Sequence, residues 1–284
     1  MKSKLLWNRL FSGGSILKPI IRNLFLVALP LQAFLFVILT LLSVGSFINE
    51  ESLGDSAPII GLLSGFWAGV LAVLGTVIFA YIANIYDWQS KQARPWLFFT
   101  IGTGLWAIAE FTYALLEYNE VEPPFPSLAD FPWLLAYIFF IGGLFIAERG
   151  FEISSAILPR VVYLLVIVLG STGILWFLGG SLVTEDIIET AVGVSYPILD
   201  VVIIYIAGLI VLKFRQAKVA RPWTVLILSF VMFALADLIY QIQVALNTYG
   251  NLVFEPVDAI FIISYSLLAF GGWMYARLMS EVSA

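Results

Sequence analysis

Two stretches of the sequence decide the fold that we predict: RPWLFFTIGTGLWAIAEFTY at residues 94–113 and RPWTVLILSFVMFALADLIY at residues 221–240. Apolar side chains dominate both runs, and about 20 such residues cross the hydrocarbon core of a bilayer as a helix. The runs also match each other at an offset of 127, from their shared Arg-Pro-Trp start through Ala109-Glu110 and Ala236-Asp237 to Tyr113 and Tyr240. They predict membrane helices that belong to an internal repeat.

The repeat continues beyond these runs. After a shift of one residue the matches are Asp130 with Asp258, Tyr137 with Tyr265, Gly143 with Gly271 and Arg149 with Arg277. A unit of four helices returns the chain to its starting side, so the two copies would be parallel, with an axis near the membrane normal. We divide the chain into a basic leader at 1–22, a first transmembrane repeat at 23–149 and a second at 150–284.

Composition places the whole chain in a membrane. Of its 284 residues 61% are hydrophobic and 12% are charged, and the mean hydropathy is +1.00, which is far from the balance of a water-soluble domain. We predict an all-α integral membrane protein with eight transmembrane helices: Leu24 to Phe47, Pro58 to Ala83, Pro95 to Leu116, Phe131 to Ala147, Val161 to Leu178, Ala191 to Leu212, Trp223 to Leu246 and Ala259 to Ala276. The leader would be either an interfacial helix or a disordered basic segment.

The charged residues predict the orientation. All 14 Lys and Arg residues fall on one side of the eight spans, and they are Lys2, Lys4, Arg9, Lys18, Arg22, Lys91, Arg94, Arg149, Arg160, Lys213, Arg215, Lys218, Arg221 and Arg277. The opposite loops carry acids: Glu50, Glu51, Asp55, Glu117, Glu120, Glu122, Asp130, Glu185, Asp186, Glu189, Glu255 and Asp258. By the positive-inside rule both termini are expected in the cytoplasm.

Three acids inside the apolar spans are the candidate site. Glu110, Asp237 and Asp200 occupy positions where a charge costs at least about 2.5 kcal/mol. Tyr113 and Tyr240 follow the first two acids by three residues and Tyr196 precedes Asp200 by four, so each hydroxyl is expected near a carboxyl on the same helix face. With no Lys, Arg or His inside the spans, the acids would be protonated, solvated by an outward-facing aqueous crevice, or paired with a bound cation. A purely structural role, with the acids bonded across helices to Tyr or Ser, is the competing interpretation.

Two further acids are expected at the outer mouth of the same crevice. Asp130 and Asp258 would stand there with Tyr137 and Tyr265 two turns further in, beside a Pro-rich rim at 122–126. Ser127-Leu128-Ala129-Asp130 also has the spacing of a capping box, so capping alone would account for these acids. The candidate ligand or cation site comprises Glu110, Asp237, Asp200, Tyr113, Tyr240, Tyr196, Asp130, Asp258, Tyr137 and Tyr265.

Several of these residues carry a resemblance to a known family. PPFPSLAD at 123–130 running on to Tyr137, YPILD at 196–200, and Ala236-Asp237 with Tyr240 running on to Pro256, Asp258 and Tyr265 resemble the uncharacterised multi-helix membrane domain at the N-terminus of bacterial GGDEF/EAL and PAS signalling proteins. The resemblance implies a membrane input domain in the cytoplasmic membrane of a bacterium or archaeon. The sequence runs only seven residues past Arg277, so we expect signalling through a partner protein.

The predicted function is therefore a membrane sensor or accessory module that binds a small ligand, proton or cation and signals through a partner. A transporter or channel, or a structural subunit of a larger membrane complex, is the alternative. The chain has no His, no Cys and no nucleophile motif, so we expect neither an enzyme nor a metal site. No cofactor is predicted, although the aromatic content is compatible with bound lipid or carotenoid. The expected partners are the lipid bilayer and a protein partner, but no nucleic acid. Gly61, Gly65 and Gly69 favour close packing between helices, and a homodimer is the alternative use of the same glycines.

Overall fold

The computed structural model describes residues 57–119, 124–150, 161, 163, 164, 186–214, 218–246, 248 and 255–282. Every regular element within these ranges is a helix. The six helices are α1 Ala57–Ile85, α2 Arg94–Asn119, α3 Asp130–Arg149, α4 Ile187–Phe214, α5 Ala220–Ala245 and α6 Pro256–Val282. Prolines stand in the first turn of α2, α3, α5 and α6, where a missing backbone N–H breaks no helical hydrogen bond.

All six helices are long and apolar enough to cross a membrane, which confirms, for the described residues, the prediction of a helical protein with segments suited to a bilayer. The predicted leader and first helix lie outside the described residues, as does the predicted fifth helix apart from residues 161, 163 and 164. The count of eight, the tandem repeat and the cytoplasmic position of the termini stay predictions.

The six helices form a closed ring. Each helix packs against the next along the chain, and α6 packs against α1. Glycines permit the closest approaches: a Cβ on Gly271 of α6 would lie 2.9 Å from the Leu226 backbone nitrogen of α5, and one on Gly65 of α1 would lie 2.9 Å from the Ala114 Cβ of α2. At these points α5 and α6, and α1 and α2, approach each other too closely for a larger side chain.

Contacts between distant helices define their directions. The C-terminal ends of α3 and α4 meet where Lys213 Nζ lies 2.6 Å from Glu148 Oε1, so these helices are parallel. The C-terminal ends of α1 and α6 meet where the Tyr86 and Tyr275 hydroxyls are 2.8 Å apart, so this pair is parallel too. Helices α1 and α2 are antiparallel, because Thr76 of α1 donates to Thr103 of α2 at 3.0 Å whereas the earlier Gly65 lies against the later Ala114.

Charge separates the ring into two ends. We call one the basic end, because it carries the seven described Lys and Arg residues alongside Asp87 and Glu148: Lys91, Arg94, Arg149, Lys213, Lys218, Arg221 and Arg277. The acidic end is opposite and carries Glu117, Asp130, Asp186, Glu189, Glu255 and Asp258. This separation of charge between the two ends is what the positive-inside argument requires, and the membrane face toward which each end points stays a prediction.

Aromatic side chains of α2 and α5 fill the interior toward the basic end. The Trp96 and Trp223 rings have their centroids 5.5 Å apart, and Phe99 lies 6.0 Å from Phe230. Trp96, Phe99, Trp223 and Phe230 are all at most 2% exposed. Nearer the acidic end the Trp106 and Phe233 ring centroids are 4.4 Å apart, and beyond this pair acidic side chains join the aromatic ones in the interior.

Candidate functional site

A cavity of about 180 Å³ lies inside the ring on the acidic side of Trp106. Five acids line it: Glu110, Glu117, Asp130, Asp237 and Asp258. Ten aromatic side chains line it as well, and they are Trp106, Tyr113, Phe125, Trp133, Tyr137, Tyr196, Phe233, Tyr240, Phe261 and Tyr265. Nine of the ten residues predicted as a site thus share one cavity, and the tenth, Asp200, is joined to it through Tyr137.

One tyrosine serves two of the buried acids. The Tyr137 hydroxyl of α3 is 2.8 Å from Asp200 Oδ1 of α4 and 3.1 Å from Asp237 Oδ2 of α5. A phenol has a single proton and can serve only one carboxylate fully at a time. Because Asp200 is only 6% exposed, the acid that Tyr137 serves less well needs a proton of its own or a cation.

A second acid is held by two donors on a single oxygen. Glu110 Oε1 accepts hydrogen bonds from the Tyr265 hydroxyl of α6 at 2.6 Å and from Trp133 Nε1 of α3 at 3.2 Å. The other carboxyl oxygen, Oε2, has no hydrogen-bond partner among the described residues, and Glu110 is partly buried and lines the cavity. This oxygen is available to an occupant of the cavity.

The tyrosines reach the acids by exchange between the two halves of the chain. Tyr137, in the first half, serves Asp237 in the second, and Tyr265, in the second half, serves Glu110 in the first. The expected pairing of Tyr196 with Asp200 on one helix is wrong, because the Tyr196 hydroxyl donates to Asp130 of α3 at 2.7 Å. In the ring these tyrosine hydroxyls bond to acids on other helices, which residue spacing within one helix does not predict.

Asp130 and Asp258 each lie in the first turn of a helix and line the cavity. Asp130 Oδ2 accepts a hydrogen bond from the Ser127 backbone N–H at 2.6 Å, and Asp258 Oδ2 accepts one from the Glu255 backbone N–H at 3.1 Å. The carboxylate half of the predicted capping box is therefore formed. The Ser127 hydroxyl differs from the box, since it donates to Asp130 Oδ2 at 2.9 Å and accepts from the Ala129 N–H at 3.2 Å. Capping and lining the cavity are compatible roles, because each carboxyl has two oxygens.

Several residues that line the cavity were not among the ten predicted site residues. Trp133 donates to Glu110, and Glu117 adds a fifth acid near Asp258. Trp133 carried a detectable signal, since an indole N–H in an apolar span needs an acceptor. Phe233 and Phe261 gave no comparable signal, because they resemble lipid-facing or packing aromatics in the sequence.

The carboxylates are spread around the wall and do not converge on one point. No group of three or more Asp or Glu side chains in the described part of the chain is arranged to hold a metal ion. The lining residues include no Lys or Arg. The cavity is therefore an acidic and aromatic chamber with a surplus of acceptors.

No protein-family model, curated protein or solved structure is similar to this chain. The chemistry of the chamber must therefore be argued from its own geometry.

Proposed function

We propose that this chain is a membrane sensor or accessory module that binds a small ligand, proton or cation in the chamber and signals through a partner protein. The observation that carries this proposal is a cavity of about 180 Å³ lined by five acids and no basic residue. Acids that only held helices together would be expected in dry contacts with every oxygen bonded. The free Oε2 of Glu110 and the shared hydroxyl of Tyr137 fit a site that awaits a proton or a cation.

The proposal includes two parallel four-helix repeats, eight helices in all, with both termini in the cytoplasm. Support comes from the exchange of Tyr137 and Tyr265 between the halves, since matched residues exchange partners around a two-fold axis. The contact between Trp96 and Trp223, matched residues at the same offset, fits a pair that faces itself across this axis. The basic end then faces the cytoplasm and the chamber faces outward.

Helix α6 is the element that we propose relays the state of the chamber. It carries Asp258 and Tyr265 on the cavity wall, and Tyr275 and Met279 at the basic end. There the Tyr86 hydroxyl donates to Met279 Sδ at 2.8 Å and contacts Tyr275. Burial raises the pKa of Tyr86 above its usual range, and the hydrogen bond with Tyr275 offsets only part of this rise. A ligand that pulls on Glu110 or Asp258 would therefore shift a helix whose far end contacts α1 at the cytoplasmic surface.

Transport is less well supported than sensing. The interior on the basic side of the chamber is filled by Trp96, Phe99, Trp223 and Phe230. This packing favours a site open to one side over a channel through the ring. Flux through proteoliposomes that requires Glu110 would reverse this preference.

The experiment measures movement of α6 relative to the turn between α1 and α2. The chain has no cysteine, so spin labels on Gln92→Cys and Ser280→Cys report one distance in nanodiscs. We expect the label-to-label distance to change between pH 4 and pH 8 in the wild-type background. Glu110→Gln with Asp237→Asn should abolish this change, because the amides remain hydrogen-bond acceptors but cannot exchange a proton or attract a cation.

Glu189→Gln is the matched control, because Glu189 lies at the acidic end outside the cavity wall. A pH-dependent distance change that persists in the double variant, or that Glu189→Gln removes equally, would refute the chamber as the sensing site.

A further inference from the structure

We propose that the occupant of the chamber is a small organic ammonium ion, bound by Glu110 and Asp258 within aromatic walls. This inference rests on the proposed function and names the chemical class of its ligand. Three properties of the cavity carry it: the carboxyl oxygens that remain available, the aromatic share of the wall and the volume.

The available oxygens require a positive charge or a donor. Glu110 Oε2 has no described partner, and Asp258 uses Oδ2 for the Glu255 N–H and has no described partner on Oδ1. Both side chains are partly buried and line the cavity. Carboxylate oxygens that face a cavity without a basic residue attract a cation, and an ammonium ion supplies both charge and, where it has N–H groups, hydrogen-bond donors.

The aromatic wall distinguishes an organic cation from a metal ion. Ten of the 21 lining residues are aromatic, and ring faces attract diffuse cations such as alkylammonium groups. A divalent metal ion needs several oxygens converging at short distances, and no such group exists among the described residues. Rings such as Trp106, Trp133 and Phe233 instead offer an apolar surface to methyl and methylene groups.

The volume sets the size of the ligand. A dry protein cavity of about 150 Å³ accommodates benzene, and this chamber measures about 180 Å³. The occupant should therefore contain about five to eight non-hydrogen atoms. Phosphates and carboxylates of that size are excluded, because five acids line the wall without a Lys or Arg among them.

The test compares two molecules of nearly the same shape on the full-length protein in nanodiscs: choline, which is an ammonium ion, and 3,3-dimethylbutan-1-ol, its neutral carbon analogue. Binding is followed by the unfolding temperature and by tryptophan fluorescence at constant ionic strength, with n-butylammonium as a third probe. We expect choline or n-butylammonium to bind saturably. The affinity for the neutral alcohol should be at least about tenfold weaker. Glu110→Gln and, separately, Asp258→Asn should each weaken binding at least about tenfold. Both variants retain an acceptor for the existing hydrogen bonds and should fold.

Glu189→Gln should leave the affinity within about twofold, because it removes the same charge outside the cavity wall. Equal binding of the alcohol and choline, with loss in Glu110→Gln, would overturn the ammonium inference and leave the chamber as a ligand site. Binding of sodium or calcium through the same acids, without any ammonium effect, would also overturn it. If no probe binds, the inference fails, whereas the label distance across pH still decides the proposed function independently.

Discussion

The shared hydroxyl of Tyr137 allows a quantitative test of the acidic cluster. Tyr137→Phe removes one hydroxyl that is 2.8 Å from Asp200 and 3.1 Å from Asp237, and leaves the ring in place. A hydrogen bond to a charged group contributes about 1.5–3 kcal/mol, whereas interhelical hydrogen bonds in a membrane protein average about 0.6 kcal/mol. We expect the free energy of unfolding to fall by about 2 kcal/mol, because the two acids lose the only described hydrogen-bond donor that they share, and Asp200 is largely buried.

Ser229→Ala is the matched control. The Ser229 hydroxyl is fully buried and donates to the Ser264 carbonyl at 2.9 Å across α5 and α6, so it is a neutral interhelical hydrogen bond that should contribute about 0.6 kcal/mol. The assay is equilibrium unfolding in mixed micelles followed by tryptophan fluorescence. A Tyr137→Phe loss within about 0.5 kcal/mol of the Ser229→Ala loss would refute the reasoning. A double-mutant cycle with Asp237→Asn should also give a coupling energy of about 1 kcal/mol, since the variants share the interaction.

Two further substitutions test the closure of the ring and its basic end. Gly271→Ala should destabilise the protein by about 1–3 kcal/mol, because the new Cβ would lie 2.9 Å from the Leu226 nitrogen. Gly104→Ala should instead be neutral or stabilise by up to about 1 kcal/mol, since the nearest atom to its Cβ is 3.7 Å away; equal unfolding free energies for the two variants would contradict the packing. At the basic end, Lys213→Met should lower the free energy of unfolding by about 2 kcal/mol, because it leaves the Glu148 carboxylate without its ion-pair partner. The double variant Lys213→Met with Glu148→Gln should lower it less. A double variant less stable than the single one would show that the pair acts in another way.

Much of the fold follows from the sequence because a bilayer makes helix signals strong. Apolar runs of about 20 residues have few alternatives to a helix in lipid. Helices α2 and α5 begin at or next to their Arg-Pro-Trp sequences, as expected. The acids of the chamber were also visible, since a carboxyl in an apolar run is rare and costly. Glu110, Asp237 and Asp200 could therefore be identified one by one.

The partners of these acids could not be identified in the same way. A helix rule places Tyr196 next to Asp200, but the ring places its hydroxyl on Asp130. The choice depends on how far α3 and α4 slide along each other, and no local pattern encodes that register. Trp133 illustrates the same limit, because its bond to Glu110 joins α3 to α2. Donors within a helix follow from spacing, whereas donors between helices follow from packing.

If the two halves are the repeat that we propose, the room in the chamber follows from a difference between them. The buried positions of α4, including Asp200 and Ile203, correspond to buried positions of α1 at an offset of 128, namely Ala72 and Gly75. At this offset Tyr196 corresponds to Ala68, and both line the cavity. In the proposed repeat, α4 therefore contributes a large phenol and a carboxyl where α1 contributes two methyl groups. A strictly symmetric pair would either fill the space with two tyrosines or leave it with too few polar groups. The asymmetry supplies the volume on one side and the polar contacts on the other, which is the combination that a specific small cation requires.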